Sequence, residues 1–105
     1  MNRPKSGRLD WSLEGQSWPN HDKSRFHTAA GIDWHVQEMG AGPSLLLVHG
    51  TGASTHSWRS LAPLLASNYS VTAFDLPGHG FTSPGTRNQR TLPGMASAIA
   101  DLLKS

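Results

Sequence analysis

The residues best placed to do chemistry lie in the segment Leu45 to Trp58, which reads LLLVHGTGASTHSW. Four strongly apolar residues run into His49-Gly50-Thr51-Gly52, and a helical pattern opens a few residues later. Glycines in such a turn let the backbone bend sharply and bring its N–H groups close to a bound atom, with no Cβ in the way. Amides gathered near a helix start favour negative charge. Two chemistries use a turn of this kind: a cradle for phosphate, or donors to an oxyanion. The phosphate reading takes Gly50-Thr51-Gly52-Ala53-Ser54-Thr55 as a dinucleotide fingerprint, with Asp75 near the place of a ribose-binding carboxylate. Thr55 stands where that fingerprint needs a third Gly or Ala, and it would crowd the contact between helix and strand. A dinucleotide-binding Rossmann domain would also begin at its first parallel strand, without the hairpin that comes first here. No Gly-Lys-Ser/Thr follows the glycines, which excludes a P-loop.

The elements that must hold this turn follow from the periodicity. Arg25 to Thr28 and Ile32 to Met39 flank Ala29-Ala30-Gly31, a hairpin signal with Gly supplying the turn. In the second strand Ile32, Trp34, Val36 and Glu38 share one face, and Asp33, His35, Gln37 and Met39 share the other. That alternation suits a half-buried antiparallel pair. Leu45 to Val48 follows the turn Gly40-Ala41-Gly42-Pro43 and reads as a strand buried on both faces. Trp58, Leu61, Ala62 and Leu65 then make one face of a helix, which Pro63 should break or kink. Val71 to Phe74 is a second buried strand, ending at Asp75. In the last element Thr91 is a fair N-cap, Pro93 fits a first turn, and Met95, Ile99, Leu102 and Leu103 form an apolar stripe. Strands alternating with helices imply parallel crossovers and an α/β sheet. The final helix reaches Ser105 without a Gly stop or a following strand, so the segment reads as part of a larger domain.

Composition limits the partners. The formal charge of +2 comes from the first 25 residues, where Arg3, Lys5, Arg8, Lys23 and Arg25 oppose Asp10, Glu14 and Asp22. There is no basic stripe on the folded part, so nucleic acid is not an expected partner. Cysteine is absent, and His21, His27, His35, His56 and His79 do not fall into a metal-ligand spacing, so neither a metal nor a cofactor is expected. The longest strongly apolar run is far below the roughly 20 residues of a membrane span. No signal-peptide core is evident at the N-terminus, and a cytoplasmic protein is the expectation. Residues 1–24 show no period and read as an extended arm, with Trp11 and Trp18 as anchors against the body. Asp75 suits satisfying loop N–H groups better than acid–base work.

A second motif, Asp75-Leu76-Pro77-Gly78-His79-Gly80-Phe81-Thr82-Ser83, resembles the D-x-P-G-x-G-x-S segment that follows the fourth strand of α/β-hydrolases, and His49-Gly50-Thr51-Gly52 resembles the loop after their third strand. The resemblance implies that residues 25–105 are the N-terminal portion of an α/β-hydrolase fold: an antiparallel hairpin plus parallel βαβα, with strands in the order one-two-four-three. It implies an oxyanion hole whose donors are the backbone N–H of Thr51 and then Gly52. His49, Gly50, Asp75, Gly78 and Gly80 would shape the turns. The nucleophile of this family sits in a G-x-S-x-G elbow, which this sequence does not contain; the nucleophile, acid and catalytic histidine are expected after Ser105. In the family a strand beyond Ser105 would pair with the edge of Leu45–Val48, so these 105 residues alone should self-associate. Trp18-Pro19-Asn20, Trp34-His35-Val36-Gln37, His56-Ser57-Trp58-Arg59 and Leu92-Pro93-Gly94-Met95-Ala96 narrow the resemblance to the branch associated with magnesium chelatase in bacteriochlorophyll biosynthesis. That branch implies a porphyrin intermediate or the chelatase as partner. Two functions stay open at this point: hydrolysis of an ester-like bond, and a binding or accessory role without catalysis.

Overall fold

The computed structural model describes residues 9–105; Arg3, Lys5 and Arg8 of the expected basic arm lie outside them. Strands β1 (Ser24–Ala29) and β2 (Ile32–Met39) form the hairpin. They meet through the two-residue turn Ala30-Gly31, in which both residues have positive φ, 54° and 72°. Such a turn matches the right-handed twist of the paired strands. Strand β3 (Ser44–Val48) leads into the glycine turn, and β4 (Ser70–Phe74) leads into Asp75. The sheet order is β1-β2-β4-β3, with β4 antiparallel to β2 and parallel to β3. This is the mixed sheet expected of the fold, and it sets Val48 and Phe74 side by side. The two chemically interesting turns therefore leave the sheet from adjacent strand ends.

The core lies on one face of the sheet, where Ile32, Trp34, Val36 and Phe74 pack with Leu76, Ala98 and Leu102. Trp34 meets Phe74 edge-on at 5.6 Å, and its buried indole N–H donates to the Ala29 carbonyl at 3.0 Å, so its one polar atom is satisfied. The helix supplying Ala98 and Leu102, α3 (Leu92–Lys104), is capped by Thr91, whose hydroxyl accepts from the Gly94 N–H at 3.3 Å. Leu103 departs from the expected stripe: it is 54% exposed, because the buried face runs through Gly94, Ala98 and Leu102.

Four other expectations are corrected. Residues 9–23 are not extended: α1 (Trp11–Glu14) and the 3-10 turns Gly15–Ser17 and His21–Lys23 fold them onto the second sheet face. As a result β2 is not half-buried; Trp34, His35, Val36 and Gln37 are all enclosed. The helix after the glycine turn does not break at Pro63. A 3-10 turn, Thr55–Trp58, is separated by Arg59-Ser60 from α2 (Leu61–Leu65), where Pro63 occupies a first-turn position whose N–H needs no partner. Finally, β3 is not buried on both faces. It pairs only with β4 among the described residues, and Leu46 and Val48 remain 38% and 45% exposed.

Candidate active site

The turn after β3 is closed by a hydrogen bond from the Ala53 N–H to the Gly50 carbonyl, 3.1 Å. Gly52, at φ 81°, takes the left-handed corner that a side chain would strain. His49 braces the turn from below. Its Nδ1–H donates to the Gly50 carbonyl at 2.7 Å and its Nε2 accepts the Leu76 N–H at 2.9 Å. These partners select the neutral tautomer with the proton on Nδ1. Burial, the largest influence, holds the imidazole below its ordinary pKa; the Gly50 carbonyl and Asp75 oppose this and His79 adds to it. Both ring nitrogens are engaged, so His49 has no lone pair left to act as a base. The N–H groups of Thr51 and Gly52 have no acceptor among the described residues, and both residues are exposed.

Asp75 ties this turn to the second motif. Its carboxylate is fully buried and accepts three hydrogen bonds: His35 Nδ1 at 2.7 Å, the Thr55 N–H at 2.7 Å and the Phe81 N–H at 2.9 Å. Burial pushes its pKa up, yet the bond and charge of His35 and the two backbone amides outweigh burial and hold the carboxyl below its usual value. With both oxygens committed, Asp75 has no face for a ribose. Thr55 is likewise enclosed, its hydroxyl accepting from Trp18 Nε1 at 3.0 Å, so the dinucleotide reading has no site. Gly80, at φ 50°, lies so close to Asp75 that a Cβ there would overlap the carboxylate. Gly78, at φ 77°, turns the chain so that its N–H reaches the Ser83 carbonyl at 3.1 Å.

Sequence reasoning missed how much of the network lies upstream. His35 Nε2 meets Ser24 Oγ at 2.7 Å, and the buried Gln37 amide donates to Ser24 Oγ at 3.1 Å and to the Pro19 carbonyl at 2.8 Å. Trp11 packs against Phe26, His35 and Phe81, with ring centroids 4.9–5.3 Å apart. Trp18 meets Phe81 at 4.7 Å and His56 at 5.3 Å. The strand alternation does put His35 and Gln37 on one face, but nothing local says that Asp75, forty positions on, completes that face. His21, His27, His56 and His79 join no metal cluster: among the described residues no group of three or more His, Cys, Asp or Glu side chains converges.

The turn after β3 contributes to two hollows, Gly50 and Thr51 to one and Gly52 to the other. One, about 340 Å³, is bounded by Val48, His49, Gly50, Thr51, Leu76 and the α3 residues Leu92, Met95, Ala96 and Ile99, and is largely apolar. The other, about 380 Å³, is bounded by Leu9, the segment Gly52–Ser54, His56, Ser57, Arg59 and Gly80, and is polar.

Comparison with known proteins agrees with this architecture. The family model described as alpha/beta hydrolase fold matches residues 43–104. The chain is 43% identical over 85 residues to the "Magnesium-chelatase 30 kDa subunit" of Rhodobacter capsulatus, covering 79% of this chain and 30% of that protein. It is 38% identical over 68 residues to a pimeloyl-[acyl-carrier protein] methyl ester esterase of Aeromonas hydrophila, covering 65% of this chain and 27% of the relative. Among solved structures, epoxide hydrolase VrEH1 from Vigna radiata superposes with a TM-score of 0.70 at 34% identity, over 77% of this chain and 27% of its own. The protein lip1 from Acinetobacter baumannii AYE does so at 0.76 and 27% identity, over 99% and 35%. The chain thus spans about a third or less of the length of these relatives. No helix among the described residues is long and apolar enough to cross a membrane. The glycine turn after β3, the aspartate motif after β4 and the β3–β4 pairing that sets them side by side all fall where the family model matches, and the chain belongs to the alpha/beta hydrolase fold family.

Proposed function

We propose that this chain supplies the oxyanion donors of an ester-cleaving site, in a cytoplasmic α/β-hydrolase that works with magnesium chelatase on a porphyrin intermediate of bacteriochlorophyll biosynthesis. The observation that carries the chemical part is the pair of exposed, unengaged amides at Thr51 and Gly52, on a turn locked by His49 and backed by Asp75. When a nucleophile adds to an ester carbonyl, negative charge grows on the carbonyl oxygen. Donors already aimed at that position stabilise the charge without reorganising. The closed turn and the His49 brace provide that rigidity. No G-x-S-x-G occurs among the 105 residues, so they do not supply the nucleophile of this reading. The biosynthetic part rests on the name of the Rhodobacter capsulatus relative and on the arm and hairpin motifs.

A second reading, a non-catalytic partner of the chelatase or its porphyrin, is favoured by that same name. One experiment separates the two. In the full-length protein that carries this segment, hydrolysis of p-nitrophenyl acetate is measured for wild type, Thr51→Ala and Thr51→Pro. Alanine keeps the amide and proline removes it, so only T51P should lose activity, by about 10²–10³ in kcat. Wild-type hydrolysis no faster than background, or equal rates in T51P and wild type, would reject the esterase. The accessory reading then predicts that chelatase activity is stimulated equally by both variants.

A further inference from the structure

We infer that the polar hollow beside Gly52 is a recognition subsite for a carboxylate on the substrate, with Arg59 as its cation. The inference deepens the esterase reading, on which it rests for the word substrate. Among the described residues no acidic side chain bounds the hollow, whereas Arg59, His56, Ser54 and Ser57 all contribute to it. Arg59 makes no ion pair among the described residues; the two charged contacts they hold are Arg25–Glu38 and His35–Asp75. Arg59 is exposed, and its guanidinium is tethered through one nitrogen. Nη1 donates to the His56 carbonyl at 3.1 Å and lies 3.3 Å from His56 Nδ1, while Nε and Nη2 have no acceptor among the described residues. The backbone beneath is pinned as well, with the Arg59 N–H on the His56 carbonyl at 3.2 Å and Asn20 Nδ2 on the Arg59 carbonyl at 3.3 Å. His56 in turn rests edge-on against Trp18.

A guanidinium with one nitrogen anchored and the others unfilled is preorganised for a carboxylate, which it binds through parallel charge-assisted bonds. An isolated surface arginine keeps its full rotamer freedom and gains little from such a partner. Position gives the subsite its meaning. Gly52 belongs both to the hollow and to the turn after β3, so an ester whose carbonyl meets that turn has its acid group on the Arg59 side. The substrate class that fits is an ester that also bears a free carboxylate.

The test uses butyrate and its neutral isostere butyramide as probes on the full chain, followed by tryptophan fluorescence, because Trp18 touches His56. Butyrate should bind and butyramide should not. Arg59→Gln should weaken butyrate about tenfold or more, as expected for loss of a charge-assisted bond, and Arg59→Lys should recover part of it. Arg87→Gln removes the same charge from the loop before α3 and should bind butyrate as wild type does. Equal responses to the two probes, or equal weakening in R59Q and R87Q, would overturn the subsite. Butyrate binding in a protein whose full-length form hydrolyses no ester would support the subsite and fault only the esterase reading. Ester hydrolysis with no butyrate binding would overturn the subsite alone.

Discussion

Asp75 and His49 both couple the fold to pH, in separate windows with the same sign. The Asp75 pKa is lower folded than unfolded, so its contribution is complete above the ordinary aspartate value of about 4 and is lost as pH falls through the lower folded value. His49 is held neutral. Below about pH 6.5 the unfolded chain takes up a proton that folded His49 resists, so stability falls from there towards its lowered folded pKa. Acidification should therefore lower the melting temperature in two stages. Thermal melts between pH 7.5 and 3 should show His49→Gln without the upper stage. Asp75→Asn should be destabilised at neutral pH by about 3 kcal/mol or more, because an amide NH₂ faces donors and three buried bonds lose their charged acceptor. A D75N protein as stable as wild type at pH 7 would contradict the role assigned to this carboxylate. The sequence showed the turn residues themselves, since Gly, His and Asp at those spacings have few other uses. It did not show that His35 and Ser24 complete the network, because they are joined to Asp75 only by strand pairing across the sheet.

At the scale of elements, periodicity carried most of the information. The change from alternating to continuous apolar to helical spacing located all four strands and α3 within a residue or two, and the resemblance supplied their order. Short helical pieces were not legible. A four-residue α1 has too few positions to show a period, and its place depends on Trp11 finding Phe26, His35 and Phe81. The hairpin turn was located, but not its cost. Ala30 sits at φ 54°, a conformation about 1–2 kcal/mol unfavourable for a residue with a Cβ. Ala30→Gly should relieve that strain, less the entropy of a freer unfolded chain, and raise stability by about 0.5–1 kcal/mol. Chemical denaturation with an unchanged slope would measure it. A destabilised A30G would mean that the Ala30 methyl, which packs against the core cluster, outweighs the strain.

For the molecule as a whole, the apolar surface is distributed unevenly. The outer edge of β3 has no partner strand among the described residues, Leu46 and Val48 are exposed on it, and Leu92 and Leu103 are exposed on α3. An uncovered apolar edge is a template for another chain, and a charge placed on it blocks that pairing. Sedimentation of the 105 residues should therefore depend on concentration, and Leu46→Lys should shift the distribution towards monomer. A wild-type species that stays monomeric at high micromolar concentration would show that the edge is protected in a way its exposure does not suggest.

One consequence of the shared acceptor at Asp75 concerns the motion of the site. The Thr55 and Phe81 amides are 26 positions apart in sequence but close on the same carboxylate, so neither can meet solvent unless Asp75 lets go. Their hydrogen–deuterium exchange should be slow and matched, a single opening event read at two places. The Thr51 and Gly52 amides, a few residues from Thr55, should exchange near the rate of an unstructured chain. Under the proposed oxyanion role, the amides that would receive charge are the ones the folded protein leaves in contact with water. Fast exchange at positions 51 and 52 beside slow, paired exchange at 55 and 81 would mark the boundary between the part of the loop that recognises and the part that supports.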